Sequence, residues 1–129
     1  MTFNFFKRDH KSIPENITPK LLAIFPRAIN IEWNKAGDNF EALFYMDEVE
    51  YIARLSEKGL LLEYKKNVRT NEIPEKISLT ATGHGEIMSA IAIYQGETLV
   101  HEIIVRKPDL SRYLLLLDDE GHLLEMRGV

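Results

Sequence analysis

The sequence predicts an α+β fold built as two repeats, each one helix followed by a four-stranded antiparallel meander. Three observations carry this. Ile13-Pro14-Glu15-Asn16-Ile17 recurs sixty residues later as Ile73-Pro74-Glu75-Lys76-Ile77. Glu57-Lys58-Gly59-Leu60-Leu61-Leu62-Glu63-Tyr64 is echoed by Glu120-Gly121-His122-Leu123-Leu124-Glu125-Met126 at an offset of sixty-two. A recurrence near one period, in the same order, is the mark of an internal duplication. Between the echoes, stretches of period-two alternation are separated by connections so short that they join only antiparallel neighbours. The repeats are expected at residues 13–66 and 73–127, within one domain spanning 1–129.

The elements follow in chain order. Ile17, Leu21, Leu22 and Phe25 have helical spacing, with the helix starting at Pro14 or restarting at Thr18 as a cap. Pro26 ends it, because proline disfavours helical backbone in the residue before it. Ile31 and Trp33 share one face of a short strand, and Lys35 to Asn39 turn the chain. Phe40, Ala42, Phe44 and Met46 form an inward stripe, backed by Glu41, Leu43 and Tyr45. After a turn at Asp47-Glu48, Tyr51, Ala53 and Leu55 alternate with Ile52 and Arg54. Ser56 to Gly59 turn again, Leu60 to Tyr64 form a fourth strand, and Lys65 to Glu72 read as a polar linker.

In the second half Ile77, Leu79 and Ala81 mark a short helix within 74–84, stopped at Gly83. Strands are expected over 87–94, 98–106, 111–117 and 123–126, with turns at Gln95-Gly96-Glu97, Lys107-Pro108-Asp109 and Asp118 to Gly121. The helices cover one sheet face. Glu32, Glu41, Arg54 and Glu63 decorate the other.

Composition narrows the function. Sixteen Lys plus Arg against twenty Asp plus Glu give a formal charge of −4, which argues against a general nucleic-acid binder. There is no cysteine, so thiolate nucleophiles, disulfides and cysteine-ligated metal sites are excluded. No window approaches the length of a membrane-spanning helix. The apolar run Phe3-Asn4-Phe5-Phe6 is too short for a signal-peptide core and precedes its charges, so the expected compartment is cytoplasmic, or periplasmic if a leader is missing.

Reactive constellations are equally sparse. His10, His84, His101 and His122 form no ligand-spaced pair, and His101 alone sits within a predicted strand, where a semi-buried histidine is expected. No serine lies in a Gly-x-Ser-x-Gly elbow. Gly83-His84-Gly85-Glu86 lacks the spacing of a phosphate loop and reads as a helix stop. Asp118-Asp119-Glu120 is too compact for a calcium loop and reads as a hairpin turn. Lys65, Lys66 and Arg69 form a modest solvated basic run. Trp33 is expected beneath the first helix. No catalytic, cofactor or metal residue is assigned.

The residues of the first half resemble a known family. Pro14, the helix end Phe25-Pro26-Arg27-Ala28, Ile31-Glu32-Trp33, Gly37, Phe40-Glu41-Ala42-Leu43-Phe44, Lys58-Gly59 and Leu62-Glu63 match the pattern of PepSY-like, β-lactamase-inhibitor-like proteins of bacteria, notably Bacteroidetes. The likeness covers 13–64 well and 73–126 as a degenerate second copy, carried by Ile73-Pro74 and by Asp119-Glu120-Gly121 with Leu124-Glu125. It implies a β-lactamase-inhibitor-like fold of two helix-plus-four-strand units and supplies no catalytic residue. Members are usually exported to the periplasm, whereas this sequence shows no leader.

The expected function is therefore a non-enzymatic module, inhibitor-like or sensory, that binds another protein through its sheet face. Tyr45, Tyr51, Tyr64 and Arg54 are the candidate contact residues, since exposed aromatic and arginine side chains concentrate binding energy. The alternatives are a structural homodimer joined through open strand edges, and a small metal-dependent hydrolase using His101 or His84 with carboxylates.

Overall fold

The computed structural model describes residues 13–129. His10 and the Phe3 to Phe6 run lie outside the described residues. The order of elements is α1 (Ile17–Ile24), β1 (Ile29–Ala36), β2 (Asn39–Met46), β3 (Val49–Leu55), β4 (Leu61–Asn67), a 3-10 turn (Thr70–Glu72), α2 (Glu75–Thr82), β5 (Glu86–Gln95), β6 (Thr98–Arg106), β7 (Arg112–Asp118) and β8 (Leu123–Gly128).

This corrects the expected fold class. The strands form one eight-stranded antiparallel sheet in chain order, in place of the expected two repeats of one helix and a four-stranded meander. Among the described residues there are two α-helices of eight residues each, and the fold is mostly β. Each isolated meander would leave two open edges of unpaired backbone groups, and a longer sheet leaves fewer. The expected polar linker is also shorter than supposed, because β4 runs on to Asn67. The chain divides into two compact units, the break falling after Lys66.

In the first unit α1 lays Ile17, Leu21 and the following Phe25 on the sheet. They meet Trp33, Phe40, Ala42, Phe44, Tyr51, Ala53 and Leu55, all buried. The period-two stripe of β2 thus does what alternation requires: even-numbered residues face the helix and odd-numbered ones face away. Thr18 is not a cap. It lies inside α1, and its Oγ1 accepts a hydrogen bond from the Trp33 indole N–H at 2.9 Å. Pro19 is tolerated because the first turn of a helix has no intrahelical acceptors for its N–H groups. The hairpin turn Asp47-Glu48 holds both residues at positive φ, 53° and 65°, the geometry that matches strand twist.

In the second unit Ile77 and Ala81 of α2 pack on Ala90, Ile103, Val105, Leu115 and Leu117. Leu79, expected on that face, is 66% exposed. Two residues past Ile77 is about 200° around a helix, so Leu79 points away from the sheet. Thr80 Oγ1 donates to the Gly121 carbonyl at 2.8 Å and ties α2 to the β7–β8 turn. At the end of α2, the His84 N–H bonds to the Ala81 carbonyl at 3.0 Å.

Candidate binding surface

The first unit sorts the expected contact residues onto opposite faces. Tyr51 shares its parity with Ala53 and Leu55 and lies in the core, 9% exposed. Its ring stacks on Phe44 at 5.3 Å and on Tyr64 at 6.3 Å, while Phe25 meets Tyr64 edge-on at 5.3 Å. Tyr51 and Tyr64 thus belong to an aromatic cluster under α1.

Tyr45 and Arg54 lie on the face opposite α1. The Tyr45 hydroxyl donates to Glu50 Oε2 at 2.9 Å, and this bond helps satisfy a carboxylate that is itself buried. The hydrogen bond to Glu50, reinforced by its charge, raises the affinity of the Tyr45 phenol for its proton. Arg54 stands between Glu41, its register partner in β2, and Glu63 in β4, which it meets at 3.3 Å. Leu43 and Ile52 pair on the same face. The face is a charged frame around a small apolar centre.

The second unit presents a different surface. Ile103 and Val105 face α2, so Val100, Glu102 and Ile104 project from the other side of β6. Register gives three rows across it: Ser89, Ile104 and Leu114; Ile91, Glu102 and Leu116; Ile93, Val100 and Asp118. Six aliphatic side chains surround the Glu102 carboxylate, with Ser89 and Asp118 at opposite corners. Ile91 and Leu114 are buried and the other four half-buried, although α2 packs on the opposite face. Sequence reasoning missed this patch. Its signal was present: Leu114 to Leu117 are apolar at both parities, as in strands with two apolar faces.

His101 and His122 each meet a carboxylate of the β7–β8 turn. His101 is buried on the α2 side, with Nε2 3.0 Å from Asp119 Oδ1. His122 Nδ1 lies 3.0 Å from Asp118 Oδ2. Among the described residues no group of three or more His, Asp or Glu side chains is placed to hold a metal ion. No described helix is long and apolar enough to cross a membrane.

Asp118 organises the β7–β8 turn. Its Oδ1 accepts the backbone N–H groups of Glu120 and His122, each at 2.9 Å. The His122 N–H foremost, with the His122 side chain and the Glu120 N–H, holds the Asp118 carboxyl below the usual carboxylate range, although desolvation opposes this. The folded state therefore favours the ionised form. The resulting stabilisation is complete above the unfolded carboxylate pKa and is lost as pH falls through the lower native value. Thermal melts on acidification should show Asp118→Asn losing stability less steeply than the wild type. Equal slopes would remove this turn from the account of acid unfolding.

No protein-family model matches this chain, and no curated protein matches it. Solved structures do. A DUF2874 family protein from Bacteroides uniformis matches with a TM-score of 0.80 at 14% identity, covering 91% of this chain and 90% of that one. A protein from Bacteroides eggerthii, provisionally described as periplasmic, matches with a TM-score of 0.79 at 17% identity over 90% and 88%. A BLIP-like protein from Bacteroides fragilis matches with a TM-score of 0.75 at 14% identity over 97% and 89%. At these identities the likeness is one of fold. It agrees with the β-lactamase-inhibitor-like part of the expected resemblance, and the PepSY-like part is not carried by these neighbours.

Proposed function

We propose that the chain is a non-enzymatic module that binds another protein through the sheet faces turned away from its helices. The observation that carries the reading is the aliphatic patch of β5, β6 and β7 around Glu102. A contiguous group of aliphatic side chains on a face that no helix covers is the kind of surface that marks a protein-binding patch. Tyr45 and Arg54, on the corresponding face of the first unit, are the polar contacts included in this reading. His101 and His122 are in keeping with it, since each meets a different turn carboxylate, Asp119 and Asp118. The BLIP-like description of one structural neighbour is in keeping with it. A periplasmic setting belongs to the same reading, supported by the description of another neighbour.

The test uses two surface variants. Ile104→Ser alters the patch, and Leu79→Ser alters the exposed side of α2. A partner captured by the wild type, then purified and titrated, should lose about tenfold or more in affinity for Ile104→Ser and retain it for Leu79→Ser. Equal affinity for both variants would refute the reading.

A further inference from the structure

Among the described residues β8 pairs with β7 alone and is last in the strand order. Its ladder determines which backbone groups are already used. The Val129 N–H donates to the Arg112 carbonyl at 3.0 Å. The register continues as Gly128 with Tyr113, Arg127 with Leu114, Met126 with Leu115 and Glu125 with Leu116. Antiparallel pairs alternate between those that exchange hydrogen bonds and those that do not. With Val129 bonded to Arg112, Arg127 and Glu125 also turn their backbone groups toward β7. Met126 and Gly128 turn theirs to the open side.

The other outer strand, β1, is blunted. It carries a register shift between Ile29 and Glu32, Asn30 at φ 55°, and an exposed Lys35. Bulges and lysines are the usual devices that keep an edge from pairing. From Glu125 onward β8 is regular, and 123–129 contain neither lysine nor proline. Every residue of β8 is exposed, and Leu123, Leu124 and Met126 are among the exposed large apolar side chains.

We propose that β8 pairs antiparallel with β8 of a second copy of this chain, about a two-fold axis at Met126. Backbone hydrogen bonding alone allows a two-fold centred on any of several residues, and charge selects among them. Centring on Glu125 sets glutamate against glutamate, and centring on Arg127 sets arginine against arginine. Like charges directly opposite destabilise a strand pair. Centring on Met126 sets Glu125 opposite Arg127 of the partner subunit, twice by symmetry. Glu125 and Arg127 already meet within the chain at 3.4 Å, so the two copies bring together a cluster of two pairs. Met126 then meets Met126 of the partner subunit at the axis, and Leu123 and Leu124 lie beyond the register shift of β8, outside the regular pairing. An isologous contact of this kind closes on itself and stops at two copies. It uses the sheet edge and is independent of the sheet-face reading above.

Sedimentation equilibrium of the full chain, from micromolar to millimolar concentration, tests it. The mass should rise from 14.9 kDa toward twice that value. Met126→Pro removes a donor that points to the open side and leaves the bonds to β7, so this variant should stay monomeric. Glu125→Arg should dissociate the dimer by opposing arginines, and adding Arg127→Glu should restore it. The charge variants keep the test valid if the proline variant fails to fold. A chain monomeric at millimolar concentration, a dimer indifferent to both single variants, or a charge swap that does not restore assembly would each overturn the proposal. The first outcome would leave β8 to a foreign strand instead.

Discussion

Phe44→Ala should cost about 3–5 kcal/mol, the range for emptying a buried phenylalanine site. Phe44 is 0% exposed. Its ring lies 5.0 Å from that of Phe25 and 5.3 Å from that of Tyr51. Aromatic pairs of this geometry contribute about 0.5–1.5 kcal/mol beyond the area they bury, so truncation loses packing on both sides of the ring. A domain of this size is stable by about 5–15 kcal/mol in all, so the loss is a large fraction of the total. The corresponding fall in Tm is roughly 10–20 °C. Trp33, the sole tryptophan, is buried in the same cluster, so its fluorescence reports on this core during denaturation. Leu60→Ala, at a site 65% exposed, provides the comparison and should stay within about 0.5 kcal/mol of wild type. A loss below about 1 kcal/mol for Phe44→Ala would contradict the aromatic core as described.

That core was partly legible in the sequence, and the reason is periodicity. Phe40, Ala42, Phe44 and Met46 alternate without interruption, and the strand Thr98–Arg106 falls at its expected bounds. Local alternation states which residues share a face. It does not state which strands are neighbours when they lie far apart in sequence, so it predicts two four-stranded meanders and leaves open their union in one eight-stranded sheet. Tyr51 and Tyr64 are expected at a contact surface and lie on the α1 side of the sheet, for a different reason. A strand-borne tyrosine suits a core and a contact surface equally well, and only its parity with Ala53 and Leu55 distinguishes them. Helical rotation placed Leu79 outside, where a coarse apolar tally had set it within. The aliphatic face of β5 to β7 was overlooked because a run such as Leu114 to Leu117 supplies both faces of a strand at once. Counting one core face accounts for only half of it.

Gly121→Ala should be the most damaging of the glycine substitutions at the turns, and for two separable reasons. Gly121 has φ of +90°, in the region that L side chains rarely adopt, and an added Cβ would lie 2.8 Å from the backbone carbonyl oxygen of Lys76 in α2. The conformational penalty alone is about 1–2 kcal/mol. The contact adds to it, because the obstructing atom is helix backbone and cannot rotate aside. Moving it disturbs the hydrogen bond from Thr80 Oγ1 to the Gly121 carbonyl, the tie between α2 and the β7–β8 turn. A total of about 2–4 kcal/mol is expected, the scale of a substitution that combines backbone strain with a steric clash. Gly96 separates the two causes. It has φ of +60°, and an added Cβ would meet nothing within 4 Å. Gly96→Ala therefore carries the backbone strain without the clash, at about 1 kcal/mol. Urea denaturation of both variants, followed by circular dichroism, measures the difference. If Gly121→Ala costs no more than Gly96→Ala, the turn does not bear on α2, and β8 is held in place by its pairing with β7 alone.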